Sequence, residues 1–184
     1  MKENVRVKAN AIKGLNDICM QGEIVVFGST YMSKFPLYEL VNKNQFESAI
    51  YNRSIDGLTI EEALEIVQEC VLDIKPDKIF LALGEEDERD ANAVTNYTRL
   101  VRCIRAKLPA CELYLICLQG VSEYAERFNA NIRSLCEQKK VKCIRFTGAG
   151  ANETALYKTR FKQLSCFFRS KPLTMPDAFA MAEL

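Results

Sequence analysis

The chain has 184 residues, 48% of them hydrophobic and 27% charged, the composition of an ordinary globular protein rather than a disordered or fibrous one. That length fits a single domain over residues 1–184, with residues 1–21 as a helical N-terminal extension packed on it. Its 25 basic and 24 acidic residues leave a net charge of +1, which points away from nucleic acid and other polyanion partners.

In chain order, a helix is expected around Val5–Cys19. Short apolar runs then alternate with helix-period segments. The runs are Glu23–Gly28, Ser48–Asn52, Lys78–Gly84, Glu112–Leu118 and Val141–Phe146. Each is β-branched or aromatic and continuous, the pattern of strands buried on both faces. Helices are predicted over Thr59–Asp73, Asp90–Leu108 and Ser122–Lys140. The first opens on a capping-box pattern, T-I-E-E, with Ala63, Leu64, Val67 and Val71 at helical spacing. Strand–helix alternation builds a parallel sheet, so the expected fold is α/β: a three-layer α/β/α, doubly wound, five-stranded parallel sheet of the flavodoxin-like kind. Chemistry in such sheets sits at the carboxyl ends of the strands. The last stretch, Thr147–Leu184, is expected to be less regular and to wrap back toward that rim, with Phe161, Phe167, Phe168 and Phe179 packing it down.

No apolar run approaches the ~20 residues that span a bilayer, and Met1–Met20 lacks the apolar stretch of a signal peptide. The eight cysteines show no C-x-x-C spacing, and there is no histidine in the chain to complete a mixed zinc site. Buried, reduced thiols in a cytoplasmic protein are the expectation.

Four blocks lie at the ends of the predicted strands or near the chain end. Gly28-Ser29-Thr30 leads into a short helix. Asn52-Arg53-Ser54-Ile55-Asp56-Gly57-Leu58-Thr59 follows strand two, and Gly84-Glu85-Glu86-Asp87 follows strand three. Ser170-Lys171-Pro172-Leu173 precedes Pro176 and Phe179. Together they resemble, in order and spacing, the blocks of the SGNH (GDSL-type) hydrolases, whose serine attacks an acyl carbonyl with help from a D-x-x-H pair. The resemblance places the nucleophile at Thr30, with the oxyanion-hole glycine and asparagine at Gly57 and Glu86. It places the family aspartate and histidine at Ser170 and Leu173.

Four of these five positions have changed type. Threonine keeps a hydroxyl but restricts χ1. Leucine cannot accept a proton, and histidine is the usual base for a hydroxyl nucleophile. An ionised Glu86 offers acceptors where an oxyanion needs donors. The expectation is therefore a catalytically impaired relative that keeps a small-molecule or partner-binding pocket, with no cofactor and no metal. Two alternatives stay open: weak ester or acetyl-ester hydrolysis through Thr30 or Ser29, and an FMN- or phosphate-binding flavodoxin-like module. Glu85–Asp90 reads as a solvated acidic loop; the alternative is an oxygen-ligand site for Mg²⁺ or Ca²⁺ with Asp56. Gly148-Ala149-Gly150 reads as a plain turn.

Overall fold

The computed structural model describes residues 1–42, 44, 46–139, 141–148 and 150–169. They group into two compact units: residues 1–34 with 50–145, and residues 35–49 with 146 onward.

The first unit holds five parallel strands, β1 (Ile24–Gly28), β2 (Ile50–Asn52), β3 (Lys78–Ala82), β4 (Glu112–Ile116) and β5 (Lys142–Ile144), in the order β2-β1-β3-β4-β5. The order reverses direction after β2, which creates the switch point of a doubly wound sheet between β1 and β3. Ile24 pairs with both Ile50 and Lys78, and the register continues to Gly28 opposite Ala82. The strand ends that carry Gly28, Asn52 and Ala82 therefore lie side by side. This is why three blocks far apart in sequence can meet.

The sheet is flanked by α1 (Glu3–Lys13), α4 (Ile60–Cys70), α5 (Ala93–Lys107) and α6 (Glu123–Lys139). One core cluster joins Val25, Phe27, Ile79, Leu81 and Leu115 of the strands to Val5, Ala63, Val67, Tyr97, Leu100 and Ile132 of the helices. The alternate strand set, including Ile24, Val26, Phe80 and Tyr114, faces the other way and is buried as well. Burial on both faces is what the continuous apolar runs required, and it holds for β1, β3 and β4; in β5, at the sheet edge, Lys142 and Cys143 are exposed. Phe80 and Tyr114 stack as a cross-strand pair, with centroids 4.5 Å apart. A five-residue helix, α2 (Thr30–Lys34), follows β1 directly.

The start of α4 confirms the capping box. Thr59 accepts from the Glu62 amide while the Glu62 side chain accepts from the Thr59 amide. Glu62 also accepts from the Lys2 amide at 2.6 Å and meets Lys2 Nζ at 3.4 Å, clamping the start of α1 against α4. Burial raises the Glu62 pKa, but the Lys2 and Thr59 amides, the Thr59 hydroxyl and the Lys2 charge outweigh it, and the net shift is downward.

The second unit contains α3 (Leu37–Asn42) and α7 (Glu153–Ser165). Asn152 caps α7 by accepting from the Ala155 amide at 2.9 Å. Phe46 meets Phe161 and Phe168 edge-on at 6.3 and 5.5 Å, and Phe35 meets Tyr157 at 5.2 Å.

Several expectations need correction. The first helix ends at Lys13, and Asn16–Ile18 is a separate 3-10 turn. Glycine at position 14 weakens a longer helix there. The helix predicted over Thr59–Asp73 stops at Cys70, and a further 3-10 turn covers Leu72–Ile74. The stretch after Thr147 is not irregular throughout, since α7 occupies thirteen residues of it. The thiols are not uniformly buried either: Cys70, Cys111, Cys117 and Cys136 are, whereas Cys143 is exposed. Ser170, Leu173 and Phe179 lie outside the described residues.

Candidate functional site

The three loops that leave β1, β2 and β3 converge at the carboxyl edge of the sheet. The loop after β2 is held to β1 by Arg53 N–H donating to the Val26 carbonyl at 2.8 Å and Ile55 N–H donating to Gly28 at 3.0 Å. Asn52 locks the arrangement from the side: its Nδ2 donates to the Met32 carbonyl at 2.9 Å and its Oδ1 accepts from the Ser54 amide at 3.1 Å. Gly57 then turns with φ +75°, a conformation that favours glycine. That turn aims its N–H inward, and Lys2 Nζ donates to the Gly57 carbonyl at 2.6 Å.

At the centre stands Thr30, half-buried at the start of α2. Its hydroxyl accepts from Gly57 N–H at 2.9 Å and donates to Glu86 Oε1 at 2.5 Å. Thr30, Gly57 and Glu86, three positions that the sequence resemblance singles out, are thus joined in one hydrogen-bonded chain. Ser29, the alternative hydroxyl, is fully buried, and its Oγ has no hydrogen-bond partner among the described residues.

Sequence reasoning missed the next contact. Glu85 accepts from the Tyr31 amide at 2.6 Å, so its carboxylate caps the exposed end of α2. Burial pushes the Glu85 carboxyl up, the Tyr31 amide opposes this, and the neighbouring Glu86 charge adds to the rise. The clue lay in the adjacent pair Glu85-Glu86 facing a helix start, since anions favour helix N-termini. Lys2 on Gly57 had no sequence signal at all.

Asp87 points in a third direction. It is 2% exposed and accepts from the Ile60 amide at 3.0 and 3.3 Å, at the start of α4. Burial raises its pKa from 3.8 to about 6, against the opposing Ile60 hydrogen bond. In the folded protein the carboxyl therefore stays protonated to higher pH than in the unfolded chain. Its contribution to stability is intact below pH 3.8 and is lost as pH rises toward 6. Asp87→Asn keeps an acceptor for Ile60 without the charge. It is expected to stabilise by about 2 kcal/mol at neutral pH and by close to nothing near pH 4. Urea unfolding at the two pH values checks this, and an equal effect at both would refute the burial argument.

Glu85, Glu86 and Asp87 thus engage three different donors, and Asp56 pairs with Lys34 at 3.4 Å. Among the described residues no group of three or more His, Cys, Asp or Glu side chains is arranged to hold a metal ion. No described helix is long and apolar enough to cross a membrane.

No family model matches the chain, and no curated protein does. Solved structures match with probability 1.00. A Streptococcus pneumonia protein carrying the name of a platelet activating factor aligns with TM-score 0.74 at 20% identity, over 90% of this chain and 93% of its own. A GDSL-like lipase from Bacteroides thetaiotaomicron gives TM-score 0.66 at 13% identity, over 80% and 82% of the two chains. A Bacteroides fragilis protein named as an acylhydrolase gives 0.74 at 11% identity, over 91% and 98%. Strand order, the loops that meet beside Thr30 and these neighbours agree: the chain has the SGNH/GDSL-type hydrolase fold.

Proposed function

We propose that this chain is a catalytically impaired hydrolase homologue that works by binding a small molecule or a partner at the Thr30 cleft. It would do so as one domain in a reducing, cytoplasmic setting, which its eight free cysteines suit. The observation that carries the reading is the filling of the cleft by the chain's own acids. Gly57 N–H is taken by Thr30, the Thr30 hydroxyl by Glu86 and the Tyr31 amide by Glu85. An acyl oxyanion would have to displace these contacts and would meet two carboxylates. Loss of one oxyanion donor slows turnover by ~10²- to 10³-fold. Loss of the histidine base removes a further ~10²- to 10⁴-fold. Glu85 in the α2 cap also stands where a phosphate would dock, which disfavours the nucleotide-binding alternative.

A second reading rests on the 2.5 Å Thr30–Glu86 contact. It makes the pair a weak nucleophile–base dyad for short-chain or acetyl esters. Hydrolysis of an activated acetyl ester separates the two. Impairment predicts that the protein, Thr30→Ala and Glu86→Gln all run at one rate, within about twofold of each other. The dyad reading instead requires a rate that falls at least ~10-fold in both variants. That outcome would replace the proposal.

A further inference from the structure

Three thiols gather away from the Thr30 cleft, where β4 and β5 meet α6. Cys117 follows β4 and extends the ladder, its N–H donating to the Ile144 carbonyl at 2.8 Å. Its Sγ lies 3.5 Å from Sγ of Cys143 on β5. Cys136 of α6 lines the same cleft as Cys143. Cys117 and Cys136 are 3% and 5% exposed, whereas Cys143 is open to solvent. Cys136 and Cys143 line an open cleft of about 510 Å³ together with Arg133, Glu137, Val141 and Arg145.

We propose that Cys143 and Cys117 form a peroxide-reactive thiol pair, in which Cys143 reacts first and Cys117 resolves the product to a disulfide. The accessible sulfur has the buried Cys117 S–H within donor reach and the buried Cys136 thiol on the same cleft wall, and the arginines lining that cleft favour an anion there. In agreement, the Cys143 thiol is held well below its ordinary range by hydrogen bonds from Cys117 and Cys136, with the Arg133 charge helping. The same contacts and burial push Cys117 and Cys136 upward, and Glu137 adds to the rise at Cys136. Burial, with neighbouring carboxylates adding, raises Cys70 and Cys111 to about 12, so those thiols stay inert.

The chemistry balances with a hydroperoxide as oxidant. The Cys143 thiolate attacks the distal peroxide oxygen. An S–O bond forms, the O–O bond breaks, and the leaving oxygen takes a proton and departs as water or an alcohol. Cys143 is oxidised by two electrons to the sulfenic acid. Cys117 then gives its proton to solvent and attacks that sulfur. The S–S bond forms and the S–O bond breaks, releasing water. A bonded pair sits at about 2 Å, so the two sulfurs, now 3.5 Å apart, must approach further on closure.

Mass spectrometry of the intact chain tests this. Iodoacetamide at about pH 5.5 should label Cys143 at least ~10-fold faster than Cys103, a half-buried thiol of α5. One equivalent of hydrogen peroxide should lower the mass by about 2 Da and link the Cys117 and Cys143 peptides. Cys117→Ser should instead leave a sulfenic acid on Cys143 that dimedone traps, and Cys143→Ser should show neither product. Circular dichroism confirms that each variant is folded, and Cys136→Ser, which keeps the pair, should still form the link. Labelling of Cys143 no faster than Cys103, or a peroxide link to Cys136 in place of Cys117, would overturn the proposal.

Discussion

Gly84→Ala is expected to destabilise the fold by about 4 kcal/mol, the sum of a backbone penalty and a steric one. Gly84 has φ +115°, a region that residues with a Cβ rarely adopt. An added methyl would also lie 2.5 and 2.6 Å from ring atoms of Phe128. That ring cannot swing away freely, because it is tilted on Tyr124 at 5.6 Å and meets Tyr97 edge-on at 5.9 Å. Tyr124 in turn donates to the Gly84 carbonyl at 2.6 Å. Urea unfolding of Gly84→Ala, Phe128→Ala and the double variant divides the effect. The steric share should reappear as a favourable coupling of about 1–2 kcal/mol, with the dihedral share remaining. A loss below about 1 kcal/mol would show that the turn has another accessible conformation. Because Gly84 launches Glu85, Glu86 and Asp87, the variant should also scatter the acids that occupy the Thr30 cleft.

Arg53→Ala should lose a comparable amount, about 3–5 kcal/mol. Arg53 is 4% exposed, and its guanidinium spans four acceptors. It donates to the Ile12 and Cys70 carbonyls at 3.3 Å each, to Asn16 Oδ1 at 2.6 Å and to Cys19 Sγ at 2.9 Å. Ile12 and Asn16 belong to α1 and the turn after it, and Cys70 ends α4. One side chain therefore ties the N-terminal segment to the loop that carries Gly57. Arg53→Met would keep most of the volume but strand the carbonyls, so it should cost nearly as much as alanine. If methionine were neutral, packing and not hydrogen bonding would be the source. Denaturant titration of the two variants reads the difference.

The strands were legible because a sheet buried on both faces needs uninterrupted apolar runs, and EIVVFG, KIFLALG and ELYLICL supply them. The capping box at Thr59 and Glu62 was legible because both partners lie within one turn. Helix α7 was not, since Glu153–Ser165 spreads its apolar residues around the axis and buries only Phe161, Leu164 and Ser165. At the cleft, the meeting of Thr30, Gly57 and Glu86 followed from the resemblance. The grip of Glu85 on the Tyr31 amide did not, because the direction of a loop side chain depends on φ and ψ that composition does not reveal. Lys2 reaching Gly57 is beyond any local pattern, as 55 residues separate them. The Cys117–Cys143 approach is similar: each thiol looks like a core filler until strand pairing sets them side by side.

The two outermost strands, β2 and β5, have three residues each. A foreign extended segment seeking to lengthen the sheet would therefore find little free backbone to zip onto. On β5 it would also meet exposed Lys142, whose ammonium is already bound to Glu112 at 2.6 Å. Stunted margins of this kind act as gatekeepers against fibril-like stacking, so a molecule rich in apolar strands can stay dispersed when crowded.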